Sequence, residues 1–260
     1  MQNIMEITGA PFIKKFLQSL HLINIIKTLN FFGCDEAMET VYVDFDNEIP
    51  RYVYTGCKNC SSIMGISMCS ITNRGCCYYY PKYTLVDIQR MTKTLEGLKF
   101  LNSIMRLPDK EIKSYQIIAK GYFDQKGCND YVKSENKINT GYIRDHSIFF
   151  KACPFVKSGY GCTVPPRYRT FVCNFFICEE VVQSIRDKAS FEPYIKERER
   201  YARWIEWENI SIREVLFEHK VDLIRDYEGT IRILQDMPQN IYEFPKLHPV
   251  TIDTGSSRGA

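Results

Sequence analysis

A chain of 260 residues allows one domain or two small ones, and 45% apolar with 25% charged residues is ordinary globular composition. Thirty-four Lys and Arg against 31 Asp and Glu leave a net charge of +3. The basic residues are interspersed with acids, which argues against a nucleic-acid partner, and no stretch approaches the ~20 continuous apolar residues of a membrane span.

Eleven cysteines fit either disulfides in a secreted chain or metal ligands and redox thiols in a cytosolic one. The N-terminus decides between them. Lys14 and Lys15 precede an apolar-rich run, as in a signal peptide, and the FFGC ending at Cys34 faintly resembles a lipoprotein cleavage site. However, Gln18, Ser19, His21, Asn24 and Lys27 interrupt the run. The pattern fits an amphipathic helix better, with Ile13, Phe16, Leu17, Leu20, Ile23 and Ile26 at helical spacing. A cytoplasmic location is therefore expected, and the odd cysteine count agrees. Val41–Asp46 alternates as a strand should, residues 47–50 supply a turn, and 51–55 form the return strand. Residues 1–50 thus read as an N-terminal helix and strand.

The first cysteine block, Gly56 to Tyr80, carries Cys57, Cys60, Cys69, Cys76 and Cys77. A C-x-x-C turn can aim two thiolates at one ion, and thiolate is a soft ligand suited to zinc, copper(I) or iron–sulfur clusters. One such pair is half a site. After Pro81, Thr84 and Asp87 form a capping box. It opens a helix to about Leu107, bent at Gly97. Pro108–Glu111 reads as the start of a second helix, so residues 84–120 form a helical insertion. Residues 124–141 read as a polar loop with Cys128 as a free thiol, and 142–150 as a strand.

The second block, from Cys153 to Cys178, adds Cys162 and Cys173 among Gly and Pro residues. Such a loop buries little apolar surface, and a metal would supply the missing stabilisation. The remainder, 179–253, reads as helical. One helix follows Cys178. Another is capped by Ser190, has Pro193 in its first turn, carries Glu192–Lys196 and Glu199–Arg203 pairs, and turns Tyr194, Tyr201, Trp204 and Ile205 inward. A third spans about 222–236 with an interruption near Gly229. Residues 254–260 are expected to be disordered. The expected fold is mainly α with a small β-hairpin. Within 51–178 it holds an irregular cysteine-rich metal-binding core closed by the two separated blocks.

Together the blocks offer nine cysteines. Four thiolates complete one zinc site or one iron–sulfur cluster, so eight would fill two. Cys76 and Cys77 are adjacent. In extended chain their side chains point opposite ways, so they are expected to serve different centres.

These residues resemble the cysteine-cluster family of zinc- or iron-chelating proteins, the YkgJ-type proteins, which include flagellin N-methylase-like members. Cys57 and Cys60 are similar to the family's first pair, Arg74-Gly-Cys-Cys77 to its double cysteine, and Tyr83-Thr-Leu-Val-Asp87 to its helix start. Cys153-Pro-Phe155, Gly161-Cys162, and Arg169 with Cys173 and Phe176 are similar to its later elements. The resemblance covers roughly residues 55 to 178. An inserted stretch containing Cys69 separates the first pair from Cys76, Thr170 stands in place of proline, and Asn174 in place of arginine. The resemblance implies a ligand set of Cys57, Cys60, Cys76, Cys77, Cys153, Cys162, Cys173 and Cys178. It leaves open whether Cys69 replaces Cys60.

Arg169 is the expected cofactor contact, and Arg74, Arg167 and Arg169 would offset thiolate charge. Tyr78–Tyr80, Phe149, Phe150, Phe171, Phe175 and Phe176 would pack the core and keep water from a cluster. Asp87, Asp145 and His146 are conceivable catalytic or ligand groups, and ordinary structural roles outweigh that reading.

The first expected function is a cytosolic protein holding an iron–sulfur cluster or zinc, in a redox or structural role. A protein lysine N-methylase is an alternative that only the resemblance implies; no Gly-rich nucleotide loop after a strand is visible. The other alternative is a zinc-stapled interaction module that presents its helical tail to a protein partner.

Overall fold

The computed structural model describes residues 38–59, 62–134, 139 and 141–252. The expected N-terminal helix, Cys34, Cys60 and the tail 254–260 lie outside the described residues.

The architecture is mixed α/β, which corrects the expectation of a mainly α chain with one hairpin. Four small sheets are present among the described residues. The first is built on the expected hairpin. β1 (Glu39–Asp46) pairs antiparallel with β2 (Ile49–Tyr54), with Asp46 opposite Ile49 across a two-residue loop. Asn47 opens that loop at φ +55, a left-handed conformation that asparagine tolerates better than most residues. The third strand, β10 (Val250–Ile252), arrives from the far end of the chain and pairs with the other edge of β1. Val41 is fully buried in this sheet. Nothing in the proline-broken tail signals a strand that pairs two hundred residues away.

β3 (Lys82–Thr84) leads into α1 (Leu85–Thr92). The expected capping residues act as such: the Thr84 N–H and hydroxyl both donate to Asp87 Oδ2 at 3.0 Å. The single helix expected to Leu107 is two. Thr94 accepts from the Gly97 N–H at 3.0 Å and starts α2 (Leu95–Met105). Gly97 therefore marks a close approach, where a Cβ would collide with the Met91 carbonyl.

The second helix expected from Pro108 is instead a hairpin. β4 (Lys110–Lys113) pairs with β5 (Gln116–Ala119), and β5 also pairs with β3, giving the order β3-β5-β4. Ile117 lies opposite both Ile112 and Tyr83, and is fully buried. Burial of a β-branched side chain, at roughly 1.5–3 kcal/mol, outweighs the helix start suggested by proline.

β6 (Tyr122–Phe123) is followed by α3 (Gln125–Lys133), where a loop was expected. Asp124 caps it, accepting from the Gly127 N–H at 2.8 Å. The expected strand 142–150 is a 3-10 segment, His146–Phe150, running into the short β7 (Lys151–Ala152), which pairs with β6. Cys128, Ile143, Ile148, Phe149 and Phe150 form a small second core with Ile63, Met64, Ile66 and Met68.

The second cysteine block contains β8 (Val156–Lys157), β9 (Gly161–Cys162) and α4 (Phe171–Asn174). It is less irregular than expected. α5 (Glu179–Ile185) and α6 (Glu192–Glu218) follow. The 27-residue α6 buries Tyr194, Tyr201, Ile205, Ile212 and Leu216, and Lys196 meets Glu192 at 2.6 Å. α7 (Tyr227–Asp236) starts later than expected because Asp226 caps it, accepting from the Gly229 N–H at 2.8 Å. The glycine read as an interruption lies in the first turn. No helix among the described residues is long and apolar enough to cross a membrane.

Candidate thiol centre

The two cysteine blocks lie against each other. The Cys153 N–H donates to the Cys77 carbonyl at 2.8 Å. Nearby, the Thr72 and Ser158 hydroxyls meet at 3.1 Å, and the Gly159 N–H reaches the Asn73 carbonyl at 3.4 Å. Farther along, Ser62 donates to Glu180 at 2.8 Å. The β8–β9 hairpin carries Cys162, fixed where the Thr163 N–H and hydroxyl donate to the Phe155 carbonyl at 2.9 and 2.8 Å. Gly161 turns the chain into Cys162 at φ +95, where a side chain would be strained. Thr170 precedes α4, and its hydroxyl donates to Cys173 Sγ at 3.4 Å.

Among the described residues, Cys69, Cys76, Cys77, Cys128, Cys153, Cys162 and Cys173 are free thiols. Burial and neighbouring thiols shift several of them. The Cys76 thiol is pushed well up by its hydrogen bond to Cys77 and by burial, and further by the charges of Cys77, Cys57 and Cys178. The Cys153 thiol is pushed up by burial and by Cys77, Cys173 and Cys162. Burial also raises Cys162, and raises Cys173 to about 11, each with Cys77 adding to it. Cys57 and Cys178 act on Cys76, and Cys77 acts on Cys153, Cys162 and Cys173, while Cys76 and Cys77 act most strongly on each other. Cys77 goes the opposite way, down to about 7. The Cys76 hydrogen bond lowers it most, against burial, and Arg169 and Arg74 add to this.

The thiols are grouped rather than closed. Among the described residues, no three His, Cys, Asp or Glu side chains meet in metal-holding geometry. The expected irregular metal-binding core is corrected accordingly: the blocks adjoin through short regular elements, and their sulfurs do not converge on a point. By donor type, four soft sulfurs in one group suit zinc or an iron–sulfur cluster.

The remaining expected residues separate clearly. Arg169 donates from Nε to the Val164 carbonyl at 2.7 Å and acts on Cys77, Cys162 and Cys173. Arg74 is buried, and its Nη2 donates to the Ile66 and Ile148 carbonyls at 2.7 and 2.8 Å. Arg167 instead bridges Asp46 at 2.7 Å and Glu96 at 2.6 Å, clamping β1 to α2. Cys69 is buried with its sulfur 3.4 Å from the Ser67 hydroxyl, and Cys128 belongs to the second core. Asp87 caps α1 and pairs with Arg90 at 2.6 Å. Asp145 accepts from the Ser147 N–H at 3.0 Å, and His146 stacks near Phe149. Phe175 packs on Tyr52 and Tyr201 in the main core, whereas Phe176 is exposed.

Sequence reasoning missed Glu180. Burial pushes its carboxyl up. Hydrogen bonds from its own backbone and from Ser62, Tyr142 and Cys178 outweigh this and hold it below the usual range. Its Oε2 is buried without a partner. Only its place two residues after Cys178 could have drawn attention to it.

A shallow groove of about 590 Å³ runs between α6 and the β3–α1 junction, lined by Leu85, Tyr115, Phe171, Ile205 and Arg213, with no cysteine in its wall.

No family model matches the chain, and neither a curated protein nor a solved structure matches it.

Proposed function

We propose that this chain holds a soft metal cofactor through two thiol groups, as the resemblance to the YkgJ-type cysteine-cluster proteins implies. One centre would use Cys57, Cys76 and Cys178 with a further ligand, and the other Cys77, Cys153, Cys162 and Cys173. The observation that supports this reading is the junction of the two cysteine blocks, where the Cys153 N–H donates to the Cys77 carbonyl at 2.8 Å beside Cys76. Free thiols at Cys76, Cys77, Cys153, Cys162 and Cys173 suit a reducing compartment such as the cytoplasm.

The cofactor is an iron–sulfur cluster, which would carry electrons, or zinc, which would cross-link the blocks. This chain's own residues do the rest. The Cys153–Cys77 backbone bond sets the blocks in register, Thr170 orients Cys173, and Arg169 places positive charge beside the second group.

The test is elemental analysis of anaerobically purified protein with its visible spectrum. Brown protein with iron and sulfide identifies a cluster, and colourless protein with zinc identifies the stapled form. Protein that carries neither, and takes up neither on reconstitution, refutes the reading.

A further inference from the structure

The long helix α6 has two opposite faces. Tyr201, Ile205, Ile212 and Leu216 are buried in the main core. On the far side, Arg200, Arg203, Trp207, Ile210, Glu214 and Phe217 follow one another at alternating steps of three and four residues, and each is exposed. That spacing lines side chains along one seam of a helix, as in a coiled coil. Trp207 is 73% exposed and Phe217 74%. Single apolar residues on a surface need no explanation, whereas an indole, an isoleucine and a phenyl ring on one seam mark an interaction surface. Arg203 and Glu214 on the seam, and Glu206 and Arg213 beside it, make no side-chain hydrogen bond or ion pair among the described residues. No cysteine lies on α6.

We propose that this seam is the contact between two copies of the chain, with α6 packed antiparallel on the same helix of a partner. The argument is charge complementarity. Across a two-fold axis passing between residues 208 and 209, Arg203 meets the partner's Glu214, Trp207 meets the partner's Ile210, and Arg200 meets the partner's Phe217. Each pairing occurs twice, because a two-fold contact is self-complementary. The first is an ion pair, the second is apolar, and the third sets a guanidinium against an aromatic ring. On the flank of the seam, Glu206 faces the partner's Arg213, which adds a second ion pair of the same kind. A parallel pairing would instead set Arg203 on Arg203 and Glu214 on Glu214, and like charges in contact oppose association. A register shifted by one heptad separates Arg203 from Glu214. The seam is short, roughly 25 Å of helix at 1.5 Å per residue, so the association is weak and reversible. The inference is independent of the metal-binding reading.

Sedimentation velocity of the full chain, over a concentration series into the high micromolar range, tests this. The wild-type chain should be a reversible dimer. Arg203→Glu and Glu214→Arg should each weaken dimerisation by about tenfold or more, because each reversal sets like charges against one another twice. The chain carrying both reversals restores the pair with its signs exchanged, and should return to within about threefold of wild type. Trp207→Ala should also weaken dimerisation by about tenfold or more, as truncation of a central tryptophan anchor does. These side chains are exposed, so circular dichroism and thermal unfolding of the variants as monomers should match those of the wild type. A wild-type chain that stays monomeric throughout the series overturns the proposal, whether the seam is bare or covered by another segment of the same chain. Dimerisation that survives the single reversals or Trp207→Ala places the contact elsewhere and overturns it as well. So does a double reversal that fails to recover. If one single reversal does not fold, the double reversal and Trp207→Ala decide by the same thresholds.

Discussion

The backbone N–H of Cys153 donates to the carbonyl of Cys77 at 2.8 Å, so the two cysteine blocks join at the residue next to Cys76. That bond makes the cysteines of both blocks one neighbourhood, although a long helical and β-hairpin insertion separates them in sequence. Joining distant blocks costs loop-closure entropy that grows only slowly with length. The β3-β5-β4 sheet and the α1–α2 pair fill the insertion with ordered structure, which reduces that cost further.

Cysteine substitutions should divide along the two groups. Cys69 sits against Ser67, outside both groups. Cys69→Ser should therefore keep the wild-type metal content, with a stability loss on the order of 1 kcal/mol for placing a hydroxyl in a buried thiol position. Cys76→Ser and Cys57→Ser should lose the first centre, and Cys173→Ser the second. Metal analysis of the four variants checks this. Equal loss in Cys69→Ser and Cys57→Ser would show that the ligand set is wrongly assigned.

Metal uptake should release protons. Cys153, Cys162 and Cys173 all lie above the ordinary thiol value of 9.0, so they are protonated at neutral pH, while Cys77 lies below it. Ligation needs the thiolate. The sign follows: protons held by free thiols compete with the metal, so affinity falls as pH falls below the thiol values and strengthens as pH rises towards them. Calorimetry of zinc binding at pH 7 in buffers of different ionisation enthalpy should report release of about three protons or more for the second centre. Release of one or none would mean that these thiols are not the ligands.

Gly97→Ala should destabilise the fold although alanine is the better helix former. Its Cβ would meet the Met91 carbonyl, which is backbone and cannot swing aside. Overpacking of this kind costs about 1–3 kcal/mol, against roughly 1 kcal/mol gained in helix propensity. Denaturant unfolding should show a net loss of stability. A gain would mean that α1 and α2 separate easily.

The local signals in this sequence were legible where one turn of chain decides the outcome. The Val41–Asp46 alternation, the Thr84–Asp87 box and the inner face of α6 all formed as their residues direct. Three features were not legible. The Pro108 region became a hairpin because Ile117 pairs with Ile112 on one side and with the distant Tyr83 on the other, which overrides a local helix start. Residues 125–133 became a helix because Asp124 caps it, in a composition that reads as loop. β10 pairs with β1 from the far end of the chain, and such a pairing leaves no local mark. At the thiols, the side chains that belong near the site were visible from residue type. Which thiols act on which depends on how the blocks pack, and Glu180 carried no distinguishing pattern.

Loss of metal should damage the protein in a graded way. The main core does not use the thiols as its chief support: Val41, Ile88, Met91, Ile104, Ile117, Ile185, Leu216 and Leu234 are buried to 0% exposure among apolar neighbours. The cysteine blocks differ. Their elements are two-residue strands, 3-10 turns and a four-residue helix, too short to hold their backbone hydrogen bonds without tertiary support. Metal–thiolate bonding contributes on the order of 10 kcal/mol in small zinc peptides at neutral pH, and here it would act mainly on these segments. Hydrogen exchange on metal-loaded and chelated protein should therefore show lost protection in 55–80 and 150–178, while α1, α2, α6 and the β3-β5-β4 sheet keep theirs. The Cys153 N–H is the sharpest probe, because it bonds across the two blocks. If it stays protected after chelation along with its neighbours, the blocks hold themselves together and the thiols are better read as redox groups than as a metal-dependent clasp.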